Sequence, residues 1–412
     1  MDGVRREAEA LGVPYEFGGH SDRVLEADTI VLSPGVPSDA PIVRRALETG
    51  RRVVSELEVA SWFCPGPVIG ITGTNGKTTT TALTGRMFGD ARVPSVVAGN
   101  IGTAFSQVVS TMTDGSTAIL EVSSFQLDHV DSFRPRVAVL LNITPDHLDR
   151  YGHSMERYVA SKRRIFERQG EGDTLIYNYD DPLTHAEAGR IPKGVHSLPF
   201  SGRERLAEGA CIDGGQMIAV VGGRRSEIIA PEAISIRGAH NLANAMAATL
   251  AARAMGIPAS SIRATLRNFK GVEHRLEFVR EMNGVWFVND SKATNVDSVW
   301  YALQSFERPV VLLLGGRDKG NDYARLDELV RNRVRHIVAI GESAGKVVAA
   351  FRGRVPVSPA TSMEEAVRMA AEAAHAGDVV LLSPACASFD WFQNYEHRGR
   401  VFKDLVMHLT GT

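Results

Sequence analysis

The chain has 412 residues, 44% hydrophobic and 23% charged, with 46 Lys plus Arg against 48 Asp plus Glu and a formal net charge of −2. At roughly 150 residues per domain this length predicts two to three globular domains, and the composition excludes wholesale disorder. Near-neutral charge leaves no footprint for nucleic acid or an anionic membrane, and no apolar run approaches the roughly 18 residues of a membrane span.

The opening MDGVRREAEALG is charged from its second residue and has no apolar signal segment. Cys64, Cys211 and Cys386 are odd in number and lack metal spacing, so a reducing cytoplasm is expected. Short β-branched runs then alternate with helical patterns, the signature of parallel α/β sheets. ADTIVLSPGVPS reads as a strand ending at Ser33-Pro34-Gly35, followed by a helix over Ile42–Glu48. Cys64-Pro65-Gly66-Pro67 reads as a linker.

A second unit opens with strand Val68–Thr72, a Gly-rich turn and a helix from Lys77. Strands are expected at Ala118–Val122, Val137–Ile143 and Thr174–Asn178, with a helix over Met155–Arg168 before the last. Residues 195–236 read as peripheral β structure, and His240–Met255 as a helix closed by Gly256. A third unit starts near Gly271 with strands at Val285–Asn289, Val310–Leu314, His336–Ile340 and Asp378–Leu382, each followed by a helix. Such a doubly wound pattern places ligands just past the strand ends. Trp62, Phe63, Phe166 and Phe269 are expected in the core.

The sharpest motif is Gly70-Ile71-Thr72-Gly73-Thr74-Asn75-Gly76-Lys77-Thr78-Thr79 between a strand and a helix. Its glycines let backbone N–H groups approach phosphate, the helix N-terminus favours the anion, and a Lys reaches the β/γ-phosphates. It departs from the strict P-loop pattern, since Ile71 stands five before Gly76. Thr78 would offer Mg²⁺ a hydroxyl, and Glu121, ending an apolar strand, a carboxylate; the bland alternative for Glu121 is an ion pair or helix cap. Asp146, His147 and Asp149 cluster past the next strand, as metal or substrate contacts or as structural polar residues. Asp290 with Lys292, the loop Gly315–Gly320 and the loop Ser383–Ser388 each follow a strand of the third unit; together they read as a binding face, singly as ordinary turns. Thr294 or Asn295 can cap the helix after Lys292.

These segments, above all LEVSSFQLD, DSKATN and SPACASFDWFQNYEHRG, resemble the Mur ligase family, the ATP-dependent amide ligases of peptidoglycan precursor synthesis. The resemblance covers roughly residues 20–412. It implies an α/β three-domain architecture: a truncated Rossmann-like UDP-substrate domain over 1–66, a central P-loop ATPase over 67–271, and a C-terminal Rossmann-like domain over 272–412. The first lacks the family's opening strand and its Gly-rich turn, which puts uridine binding in question. Within the family the motifs imply the member that adds D-glutamate to UDP-N-acetylmuramoyl-L-alanine; the DNPR-type motif of the diamino-acid-adding relatives is missing.

Residue by residue, the resemblance implies that Gly73, Thr74, Asn75, Gly76, Lys77, Thr78 and Thr79 hold the triphosphate. Asn241 and Asn244 are implied on the adenine side, with His274, Arg275 and Asp290 completing the nucleotide site. Thr78 and Glu121 would hold one Mg²⁺, and His147 with a carbamylated Lys162 a second; Arg163 and Arg164 would help keep that Lys neutral enough to carbamylate. Lys77, Glu121, His147 and Lys162 are thus the implied catalytic group. Ser33, Asn100 and His147 are implied contacts of the nucleotide-sugar substrate, and Lys292, Thr294, Lys319, Ser388 and Tyr395 of D-glutamate. A cytoplasmic monomer acting on small molecules, with neither nucleic acid nor membrane as partner, is expected. Two alternatives stand beside it: another muramyl or folylpolyglutamate-type ligase, and an inactive nucleotide-binding relative that has lost the UDP-substrate site.

Overall fold

Three sheets follow one another along the chain in the structure, a computed structural model that describes residues 2–33, 35–100, 103–318 and 320–410. The first is a parallel pair, β1 (Thr29–Leu32) and β2 (Arg52–Ser55), covered by helix Pro41–Glu48 over a small core of Leu32, Val43, Ala46 and Val53. Arg52 is exposed while the rest of β2 is buried.

The second sheet has nine strands: β3 (Val68–Thr72), β4 (Ser95–Gly99), β5 (Thr117–Glu121), β6 (Val137–Leu140), β7 (Thr174–Asn178), β8 (His196–Phe200), β9 (Gly209–Asp213), β10 (Gln216–Val221) and β11 (Arg224–Ile229). They lie in the order β11-β10-β9-β8-β7-β6-β3-β5-β4. Every residue of β3, β5 and β6 is buried, as strands covered on both faces must be. One face packs on helices Lys77–Asp90, Ala239–Ala254 and Ala259–Asn268, the other on helix Met155–Glu167. The loops leaving β3, β5 and β6 therefore emerge side by side at one edge. The segment 195–236 is β structure at one edge of this sheet, as expected: β8 continues the parallel strands, and β9–β11 extend it with antiparallel pairs.

The third sheet holds β12 (Glu277–Met282), β13 (Val285–Asn289), β14 (Val310–Gly315), β15 (Val334–Ile340), β16 (Val357–Pro359) and β17 (Val379–Leu382), in the order β12-β13-β17-β14-β15-β16. Its central strands are parallel, so the loops after β13, β17 and β14 are neighbours. β12 is an antiparallel edge strand absent from the sequence reading; its EFVREM pattern is half exposed and charged. Asn295, not Thr294, caps helix Val296–Gln304, its Oδ1 accepting from Ser298 N at 2.8 Å. Trp62 and Phe63 are not core: Phe63 is 70% exposed beyond the helix end, and Trp62 lies on the surface beneath the Arg52 guanidinium. Phe166 is buried and Phe269 packs at a core margin. No helix among the described residues is long and apolar enough to cross a membrane.

Candidate active site

β3 delivers the Gly-rich loop at the sheet edge. Gly73 sits at φ +154, and a Cβ there would press on Leu141 at 2.9 Å; Gly76 sits at φ +86, where a Cβ would strike Asn244 Oδ1. The loop is braced from just past the end of β6 by Asn142, which accepts from Asn75 N at 2.8 Å and donates to Asn75 O at 2.9 Å. Thr74 Oγ1 lies 3.1 Å from the Tyr158 hydroxyl and accepts from Thr144 N at 3.0 Å. Lys77 Nζ donates to Gly73 O and Thr74 O at 2.9 and 2.7 Å, and burial pushes its pKa down. Thr78 and Thr79 are buried in the first turn of helix Lys77–Asp90, whose N-terminus is aimed at the loop.

Beside it, Glu121 ends β5 at 2% exposure. Its Oε1 accepts from Asn100 Nδ2 at 3.0 Å, while Oε2 is buried and has no hydrogen-bond partner among the described residues. Gly99 at φ +105 makes this possible, because a Cβ would collide with Glu121 O. An orphaned buried carboxylate oxygen costs solvation unless a cation is nearby. Together with the Thr78 hydroxyl, this donor set is all oxygen and fits Mg²⁺.

Lys162, in helix Met155–Glu167, is 1% exposed; its Nζ donates to Gly73 O at 2.8 Å and lies 4.7 Å from the Tyr158 ring centre. Burial and the adjacent Lys77 charge hold it well below the usual lysine value. The sequence reading gave that role to Arg163 and Arg164, and the structure corrects it. Arg163 pairs with Glu167 and Glu187, and Arg164 donates to Val130 O, because successive helical residues point in different directions. His147 stands at φ +51 with its side chain half exposed, Nε2 3.6 Å from Asp146 Oδ2 and its ring edge-on to Phe125. Ser33 is exposed at the end of β1. Arg150 joins the loop after His147 to that unit by donating to Val36 O at 3.0 Å.

The third sheet faces this edge. Asp290 follows β13, accepting from Leu276 N at 3.2 Å and Ser383 Oγ at 2.8 Å; burial pushes its carboxyl up to about 7. Lys292 crosses the cleft and donates to Thr78 Oγ1 at 2.8 Å, with burial pushing it down to about 8. Its Nζ lies 5.6 Å from the Tyr395 ring centre. Thr294 is half-buried and Ser388 is buried in the loop after β17; Lys319 lies outside the described residues. Before β12, His274 and Leu276 adopt left-handed φ of +65 and +43 on either side of Arg275. His274 turns inward onto Asn289 Nδ2 at 2.9 Å, while Arg275 lines the cleft.

A cavity of about 490 Å³ runs between the second and third sheets, touching Asn75, Gly76, Asn244, Arg275 and Asp290. Asn241 does not line it: its Oδ1 accepts from Asn244 Nδ2 and its Nδ2 donates to Arg237 O. The sequence reading assigned no role to Asn142, Tyr158 or Arg398. Asn142 was hidden inside a strand drawn to Ile143. Arg398, 1% exposed, stood in a quoted motif with no task; it donates to Ser291 Oγ, Ser291 O and Cys386 O, fastening the loops after β13 and β17 to helix Tyr395–His408.

Two family descriptions match this chain: the Mur ligase middle domain over residues 71–252 and the Mur ligase glutamate ligase domain over residues 274–386. The UDP-N-acetylmuramoylalanine–D-glutamate ligase of Salinibacter ruber is 50% identical over 98% of this chain and 90% of its own length. That of Pelotomaculum thermopropionicum is 45% identical over 99% and 90%. Among solved structures, a pseudomurein peptide ligase type C from Methanothermus fervidus superposes with a TM-score of 0.65 at 17% identity, over 99% of this chain and 92% of that one. The MurF ligase from Thermotoga maritima in complex with ADP gives 0.61 at 17% identity, over 95% and 100%; both share the fold.

Proposed function

The chain belongs to the Mur ligase family, and on that premise we propose that it is an ATP-dependent ligase joining D-glutamate to UDP-N-acetylmuramoyl-L-alanine in peptidoglycan precursor synthesis. The observation that carries it is the meeting of a P-loop with polar loops of a second α/β sheet, bridged by Lys292 on Thr78. In this reading the substrate carboxylate attacks the γ-phosphorus of ATP, the bond to the β-phosphate oxygen breaks, and ADP leaves. The amine of D-glutamate then attacks the acyl carbon of the acyl phosphate, and phosphate departs with loss of a proton from nitrogen.

Lys77 and the loop N–H groups from Gly73 to Thr79 hold the phosphates, and Arg275 and Asp290 the nucleoside side. Glu121 and Thr78 would hold Mg²⁺, whose charge offsets that of the transferring phosphoryl group. The unpartnered Oε2 of Glu121 supports this. Lys162 is proposed to carry a carbamate, and His147 to share a second Mg²⁺ with it; the lowered Lys162 pKa favours the neutral amine that CO₂ requires. Lys292, Thr294, Lys319, Ser388 and Tyr395 are assigned to D-glutamate, and Ser33 and Asn100 to the nucleotide-sugar. Boundaries near residues 66 and 271 are proposed for three domains in a cytoplasmic monomer. Closure of the third over the second excludes water from the acyl phosphate.

The test is ATP-dependent phosphate release with UDP-N-acetylmuramoyl-L-alanine and D-glutamate, L-glutamate, glycine or L-lysine in turn. Release with D-glutamate alone is expected. Release with another amine, or with none, overturns the reading.

A further inference from the structure

The cavity between the second and third sheets has two ends of different chemistry. One end is the P-loop, with Asn75, Gly76 and Asn244. Asn244 lines the cavity beside Gly76 and donates to Asn241 Oδ1, while Asn241 is turned onto Arg237 O and does not line it. The other end is walled by Phe200 and His240 from the second sheet's side and by Trp300 and Tyr301 on helix Val296–Gln304 from the third. Both ends belong to one cavity, so a nucleotide seated on the P-loop shares that space with these rings.

The acidic groups at that end are already committed. Asp180 accepts from Ser201 Oγ and Gly202 N, and Asp181 from Ile143, Leu183 and Thr184 N–H groups. The His240 imidazole and the Tyr301 hydroxyl, by contrast, make no hydrogen bond among the described residues. Their rings meet as a tilted pair, centroids 6.2 Å apart at 56°, and both line the cavity. Burial pushes His240 down to about 4, so its ring is neutral at physiological pH and suits an apolar face. Trp300 is held from behind by the Arg325 guanidinium, 5.4 Å from its ring and paired to Asp297 at 2.6 Å.

Resting on the nucleotide reading above, we propose that Tyr301 is the base-contacting wall of this cavity. Its ring packs on the purine of ATP, so that base selection is made by a helix of the third unit and is complete only when that unit leans over the P-loop. Base-on-aromatic stacking is worth about 1–3 kcal/mol, and 1.4 kcal/mol is a factor of about 10 in affinity.

Calorimetric titration of the full chain with ADP and with CDP tests this. The native protein should bind ADP more tightly than CDP. Tyr301→Leu, which keeps bulk without an aromatic face, should weaken ADP about 10-fold and CDP much less, while Tyr301→Phe keeps the native preference. Tyr301→Ala should behave as the Leu variant does and provides a second aliphatic replacement should either fold poorly. Equal ADP affinity in the Leu or Ala variant and the native protein overturns the proposal, as does an equal loss of ADP and CDP. A Phe variant as weak as the Leu variant overturns it too, since the hydroxyl would then carry the contact. Failure of the native chain to bind either nucleotide would instead sink the nucleotide reading itself.

Discussion

Glu121 and Asp290 are both buried carboxylates at strand ends, and their surroundings give them opposite tasks. Glu121 keeps one oxygen without a hydrogen-bond partner among the described residues, which suits cation binding. Asp290 has both oxygens satisfied by protein donors and is buried enough to hold its proton to about pH 7. In the unfolded chain it would ionise near the usual carboxylate value of about 4. Between about pH 4 and 7 the unfolded chain has lost this proton and the folded chain keeps it, so this group's contribution to stability falls as pH rises through that window. Asp290→Asn removes the slope. Its melting temperature should climb relative to the native protein by several degrees from about pH 4 to 7, and a pH-independent difference would refute this. Both residues stood out in the sequence as carboxylates ending apolar runs. Their division of labour did not, because it depends on Asn100, Leu276 and Ser383, brought in by other elements.

At the scale of elements, the P-loop was legible because strand, glycines, Lys and helix fall in one continuous stretch. Its brace was not. Asn142 comes from the loop just past β6, and no local pattern in LLNITPDH marks it as the residue that reaches across to Asn75. Each hydrogen bond contributes about 0.5–1.5 kcal/mol, so Asn142→Ala should loosen the loop and weaken ADP binding roughly 10-fold. The accompanying drop in melting temperature, read by calorimetry, separates this bracing from a direct ligand contact; an unchanged melting temperature with weakened ADP would argue against it. The buried parallel strands were readable from runs such as Val310–Leu314, because both faces are covered. β12 escaped for the opposite reason, since an edge strand with Glu277, Arg280 and Glu281 has no apolar run to show.

Over the whole molecule, the three-unit order was legible, whereas the dependence of the first unit on the second was not. A two-stranded sheet with a core of four small or medium side chains is marginal alone. It is pinned to its neighbour by Ser55 N on His129 O at 2.7 Å and Arg52 on Asp131 at 2.9 Å. Glu58 completes the seam, buried and accepting from the Asp131, Ser132 and Phe133 N–H groups. The first unit should therefore open before the rest. Hydrogen exchange should find the amides of β1 and β2 exchanging at least ~10-fold faster than those of β3, with Glu58→Gln widening the gap. Equal protection of β2 and β3 would show that the unit opens only with its neighbour.

Lys292 on Thr78 adds a temporal dimension to this architecture. One ammonium cannot hold a P-loop hydroxyl while a divalent cation takes that same hydroxyl as a ligand, since the two charges repel at such distances. On the function proposed above, a metal–nucleotide arriving at Thr78 would evict Lys292 and free its charge for the carboxylate of the incoming amino acid. An acidic co-substrate that depends on Lys292 would then wait its turn, and a single side chain would write an order of arrival into the cleft.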